Sequence, residues 1–262
     1  MKRTLLIFYS GSSRLDLIPF LALVVFALAA VRLTSATAVA NSSVQLHALS
    51  ITPASGSIMF SPTAQSFAQA QNSLGQLVSN SDTGTSANST ATVTWADASG
   101  SADPISQTAS ALANVDLPGA VVGAASSVGR GTLYELSFAI TGTTGTVPVQ
   151  FSLVLPYMQS LMTDANGLQA SSEVAMDLTV DGNTVLFFDS PKTIGPSSSF
   201  ATIGSPTITN SMILMADQKY TLFLELDAES SGINTTEPGT LLLLLGGTLV
   251  AIVRRNMLFG RP

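Results

Sequence analysis

The chain has 262 residues, 46% hydrophobic and only 10% charged, with no cysteine. Without cysteine there is no disulfide framework and no thiol chemistry, so stability must come from a core or from bound ions. Seven of the ten bases lie at the two ends, while residues 41–236 hold three bases against fourteen acids, a net of −11, which excludes nucleic acid as a partner.

Residues 1–40 fall into three parts. A basic stretch carries Lys2, Arg3 and Arg14, an uncharged run LIPFLALVVFALAAV follows at 17–31, and RLTSATAVA closes the segment. That order is the layout of a secretory signal peptide, with Ala36, Ala38 and Ala40 supplying small residues for signal peptidase. We expect cleavage at the Ala38/Ala40 site, near Ala40, and a mature chain from about Asn41. The alternative is an uncleaved anchor, but fifteen residues of helix reach about 22 Å against a hydrocarbon core of about 30 Å.

The body, residues 41–233, is rich in Ser, Thr, Ala, Val and Gly, which favours strands and turns over helix. The stretch SFAQAQNSLGQLVSN (66–80) reads as a strand pair or a helix. ATVTWADA (91–98) reads as one strand alternating about Val93 and Trp95. Residues 101–126 are low in complexity and read as helix, Ala-rich strand or loop. TLYELSFAITG (132–142) alternates, with Tyr134, Leu136, Phe138 and Ile140 on the core face, and TGTTG then reads as a hairpin loop into TVPVQFSLVLP (146–156). EVAMDLTV, Asp181-Gly182-Asn183 and TVLFFD form the best hairpin signal, because Asp-Gly suits a type I′ turn. Residues 200–203 read as a short strand. QKYTLFLELDAES (218–230) reads as a strand with Tyr220, Leu222, Leu224 and Leu226 inward and Phe223 partly buried on the other face. Eight to ten short strands over about 190 residues point to an all-β fold, an antiparallel β-sandwich of jelly-roll-like form.

Residues able to do chemistry are few. His47 is the single histidine, and no Gly-x-Ser-x-Gly elbow accompanies it, so a Ser-His-Asp triad has no support. One histidine and no cysteine exclude zinc and haem sites of the usual kinds. Asp177 with Asp181, or Asp227 with Glu229, are the carboxylate pairs available to a glycosidase, but solvent-exposed strand ends and turns are the favoured account of them. Asp181 in DGN and Asp164 in DANG offer oxygens to calcium, yet Asp-Gly and Asn-Gly are first of all turn formers. Trp95, Tyr134, Tyr157 and Tyr220 form either a sugar platform or core. Asn41, Asn88 and Asn234 lie in glycosylation sequons. The body reads as non-catalytic and without a cofactor, calcium being the one ion its loops admit.

The tail begins with a polar linker and Thr236-Glu237-Pro238. TLLLLLGGTLVAIV (240–253) is uncharged over fourteen residues, about 21 Å as a helix, and Arg254-Arg255 closes it as a cytoplasmic basic stop. This order resembles the PEP-CTERM sorting signal of exported bacterial proteins. Thr236, Glu237 and Pro238 stand at the three motif positions, with Thr236 where that family has Pro. The resemblance implies recognition by the membrane protease-transpeptidase exosortase, transient passage through the membrane, and a destination at the cell surface or in an extracellular polysaccharide matrix of biofilm type. A span about 8–9 Å short of the bilayer core fits a temporary anchor. The competing expectations are a carbohydrate-binding module and a permanently anchored single-pass protein.

Overall fold

Alternation of small or apolar residues with Ser, Thr and acids runs through most of the body, and period-two alternation buries one face of a strand. The computed structural model describes residues 36–103, 106–117, 123–165 and 167–234, with no helix among them. Residues 1–35 of the expected signal segment and residues 235–262 of the expected sorting tail lie outside the described residues. Fifteen strands follow one another: β1 (Ala36–Pro53), β2 (Ser57–Asn72), β3 (Leu77–Gly84), β4 (Ala87–Val93), β5 (Ala96–Ala102), β6 (Ser106–Leu117), β7 (Ala124–Thr141), β8 (Thr146–Val154), β9 (Tyr157–Thr163), β10 (Gly167–Val180), β11 (Asn183–Asp189), β12 (Lys192–Ile194), β13 (Ser199–Gly204), β14 (Thr207–Met215) and β15 (Lys219–Asn234).

They form two antiparallel sheets packed face to face, the arrangement of a β-sandwich. The eight-stranded sheet runs β13-β9-β1-β6-β5-β4, with β8 beside β1 and β14 beside β8; the seven-stranded sheet runs β11-β10-β15-β7-β2-β3, with β12 on β10. Strand β1 is central: β6 pairs with its residues 36–47, and β9 and β8 pair in turn with 38–44 and 47–53 on its other side. These strands and their pairings all lie within the compact unit of residues 35–237, so the body carries its own core.

The space between the sheets has two halves. One is filled by large side chains, among them Phe138, Phe151, Leu153, Leu178, Leu222 and Leu224. The other is built almost entirely of alanine, including Ala68, Ala91, Ala98 and Ala113. There the sheets come so close that a Cβ at Gly129 would run into the carbonyl oxygens of Ser99 and Ser110, and one at Gly100 into that of Arg130. Small hydroxyls bridge the gap. Ser42 Oγ donates to the Glu229 carbonyl (2.8 Å), Ser230 Oγ to the Ala111 carbonyl (3.0 Å) and Ser127 Oγ to the Leu112 carbonyl (2.9 Å). The Ala/Ser/Gly composition is therefore a packing solution: little apolar area per residue, offset by close approach and satisfied hydrogen bonds.

Several local expectations change. Residues 91–98 are not one strand; Thr94-Trp95 is a two-residue turn, with Trp95 at φ 73° and Val93 paired to Ala96. The TGTTG loop does not close a hairpin, because β7 and β8 belong to different sheets. Leu133 is buried along with Phe138 and Ile140, which simple alternation forbids. The register against β15 and β2 slips between residues 133 and 137, and this bulge moves the inward set from odd to even positions. The Asp181-Gly182 hairpin forms as expected, both residues at positive φ (47° and 76°). Residues 66–80 span the β2–β3 pair, and 106–117 form an Ala-rich strand.

Candidate functional site

The alternation that points Leu222, Leu224, Leu226 and Ala228 inward on β15 sends Glu225, Asp227 and Glu229 to the outer face of the seven-stranded sheet. Strand β10 does the same with Glu173 and Asp177, alternating with buried Val174, Met176 and Leu178. Antiparallel pairing then sets Glu173 opposite Glu229 and Asp177 opposite Glu225, while Asp227 faces Arg130 on β7. Asp189 on β11 sits beside Ala175 in the same row. Like charges directly opposite on an antiparallel pair repel, and Arg130 is the one base within this row of six acids. Lys192 lies at its margin on β12.

Arg130 holds the centre. Its Nη2 donates to Asp227 Oδ2 at 2.7 Å, and its Nε lies 3.5 Å from Glu225 Oε1, an ion-pair contact that falls short of a hydrogen bond. Burial works against the guanidinium charge, but Asp227, then Glu225 and Glu229, outweigh it and hold its pKa above the ordinary value. Burial pushes the Glu173 carboxyl up, reinforced by Asp189 and Asp227. Burial also raises Glu225, with Arg130 opposing and Asp227 and Asp177 adding to the rise. Glu229 is raised by burial, then by Asp227 and Glu173, against the pull of Arg130. The face is an electrostatically strained surface that repels polyanions and favours cationic or hydrogen-bond-donating groups.

At the end of the face nearest β12 lies a groove of about 260 Å³, walled by Ser126, Ser171, Ser231, Glu173, Glu229 and Lys192. Ser171 and Ser231 hydroxyls bond each other at 2.6 Å. Gln159, reaching across from β9, fixes the adjoining chain: its Nε2 donates to the Ser190 carbonyl at 2.7 Å and its Oε1 accepts from Ser190 Oγ at 3.1 Å.

The residues singled out from sequence fall in other places. Asp181 is a turn residue: its Oδ1 accepts the Thr221 N–H at 2.7 Å, and its own N–H donates to the Thr221 carbonyl. It does not meet Asp177, whose neighbour is Glu225. Asp164 Oδ1 accepts the Gly167 N–H at 2.7 Å and Oδ2 the Thr37 N–H at 2.8 Å. Among the described residues no three His, Asp or Glu side chains gather as a metal-ligand group. His47 is exposed on β1, at the start of the irregular pairing with β8. Tyr157 packs on Phe188 (5.1 Å between ring centres) and Tyr220 on Phe138 (5.5 Å), and Trp95 packs against the alanine half. Ala38 and Ala40 lie inside β1, each 0% exposed. Thr236, Glu237, Pro238, Arg254 and Arg255 lie outside the described residues.

Sequence reasoning passed over Glu173, Glu225 and Arg130. Each sits at an outward position of an alternating strand, but β7, β10 and β15 are far apart in the chain, and only their pairing makes one face of them. No protein-family model matches this chain, and no curated protein matches it either.

Proposed function

We propose that this chain is an exported bacterial surface protein with a non-catalytic β-sandwich body of jelly-roll-like winding, delivered through the inner membrane and sorted by its C-terminal tail. The tail resembles an exosortase substrate, and the destination is the cell surface or an extracellular polysaccharide matrix. One observation carries the division into cargo and address. The last core strand ends at Asn234, whose Nδ2 donates to the Val115 carbonyl at 2.7 Å, two residues before Thr236-Glu237-Pro238. A cut in or after that motif would release the sandwich with its strand pairings whole.

Replacing Glu237 and Pro238 together by alanine in the native host tests the reading. The variant should accumulate in the inner membrane with its tail attached, while the unaltered chain leaves the membrane. Identical localisation of the two would contradict sorting through this motif. A second reading is favoured by the hydroxyl-lined groove beside Glu173 and Glu229: a carbohydrate-binding module whose ligand is a polyol. Its mark would be glycan-array binding lost on substituting Ser171 and Ser231 by alanine.

A further inference from the structure

We propose that signal peptidase cuts this chain between Ala36 and Thr37, and that Asp164 receives the new N-terminal ammonium. The proposal rests on the export reading above and moves the mature terminus upstream of Ala38 and Ala40. The sequence offers three cuts behind a small residue: after Ala36 (Thr34-Ser35-Ala36), after Ala38 and after Ala40. All three have small side chains at the positions the peptidase reads. The fold separates them.

A cut after Ala40 removes the start of the central strand. Ala38, Val39 and Ala40 pair on one side with Val115, Asn114 and Ala113 of β6, and on the other with Thr163, Met162 and Leu161 of β9. Both ladders would lose their pairing over these residues, and two fully buried alanines, one of them packed with Leu161 and Ala170, would be removed. A cut after Ala38 still removes Thr37, which is clasped at both its polar groups. Its N–H donates to Asp164 Oδ2 (2.8 Å), and its carbonyl accepts from the Asp164 N–H (3.1 Å). The cut after Ala36 keeps every one of these contacts.

Hydrolysis of the Ala36–Thr37 amide consumes one water. The carboxylate departs on Ala36, and the amine stays on Thr37, protonated at neutral pH. The amide that donated one hydrogen bond to Asp164 becomes an ammonium with three donors and a full charge beside the same carboxylate, a stronger pairing. Oδ1 of Asp164 is meanwhile held by the Gly167 N–H (2.7 Å), so the acceptor is already oriented.

N-terminal sequencing of the protein exported by its native host gives the test, and Thr37-Ala38-Val39 is expected. A start at Val39, at Asn41 or at an uncut Met1 would overturn the proposal while leaving export intact, whereas finding the whole chain in the cytoplasm of the host would contradict export itself. Thermal melts of bodies beginning at Thr37 and at Asn41, both ending at Asn234, give an independent measure. The Asn41 form should melt more than about 5 °C lower or fail to fold; equal melting would refute the structural argument. Asp164→Asn should lower the Tm of the Thr37 form more than that of a form extended to residue 33. Equal losses would show that the ammonium is not what Asp164 holds.

Discussion

Gln159 and Gln107 are both 0% exposed, yet only one has partners. Gln159 bonds Ser172 and Ser190 through its amide. Gln107, on β6, makes no hydrogen bond with either side-chain amide atom among the described residues. A buried polar group without a partner costs about 1–3 kcal/mol, and breaking a satisfied one strands what it bonded. Replacing each by leucine should therefore act in opposite directions. Gln159→Leu should destabilise by about 2–4 kcal/mol. Gln107→Leu should be neutral or stabilise by about 1–2 kcal/mol. Urea melts of the two variants check this; a large loss in Gln107→Leu would mean that its amide is satisfied in solution, for instance by a buried water.

At the scale of elements, turns and bulges decide what alternation alone leaves open. Asp181 occupies a left-handed position and bonds Thr221 through both its N–H and its carboxylate. Asp181→Ala should cost about 1–2 kcal/mol, equally with calcium and with EDTA; a cost seen only with calcium present would make Asp181 a ligand. The β10–β11 hairpin was legible because Asp-Gly carries its own turn chemistry, and β15 because four large residues alternate without interruption. The bulge at residues 134–137 was not legible, since nothing in TLYELSF marks the slip. Strand β1 was hidden by its small residues: Ala36 to Ala40 read as a peptidase site, while Ala38 and Ala40 are fully buried between the sheets. The acidic face was half visible, as outward acids within single strands, but its like-charge pairs depend on register between distant strands.

Over the whole molecule, charge is segregated. Residues 33–81, 136–163 and 193–216 carry no Asp, Glu, Lys or Arg, so β1, β2, β8, β9, β13 and β14 are free of them. The acids Glu173, Asp177, Asp189, Glu225, Asp227 and Glu229 share one outer face with Arg130 and, at its margin, Lys192. Glu173, Glu225 and Glu229 have raised pKa values in the fold, so their ionised forms are disfavoured there. The stability they contribute is fully present below their ordinary value near 4.5 and is lost as pH rises through the folded values. The Tm should therefore rise as pH falls from 7 towards about 5, and added salt at pH 7 should raise it by screening. Glu173→Gln with Glu229→Gln should flatten both responses; an unchanged pH profile in that variant would show that this face does not set it.

The same segregation separates cargo from address. The acidic body's last strand closes at Asn234, and in the proposed reading Arg254 and Arg255, beyond it, are the bases that stop the tail at the membrane. Mass spectrometry of the mature C-terminus from the native host tests that division most directly. The account predicts a terminus upstream of Thr240, at or near Thr236-Glu237-Pro238, with the leucine run and Arg254-Arg255 gone. A mature protein that still carries Arg254-Arg255 would contradict it and leave a permanently anchored single-pass protein in its place.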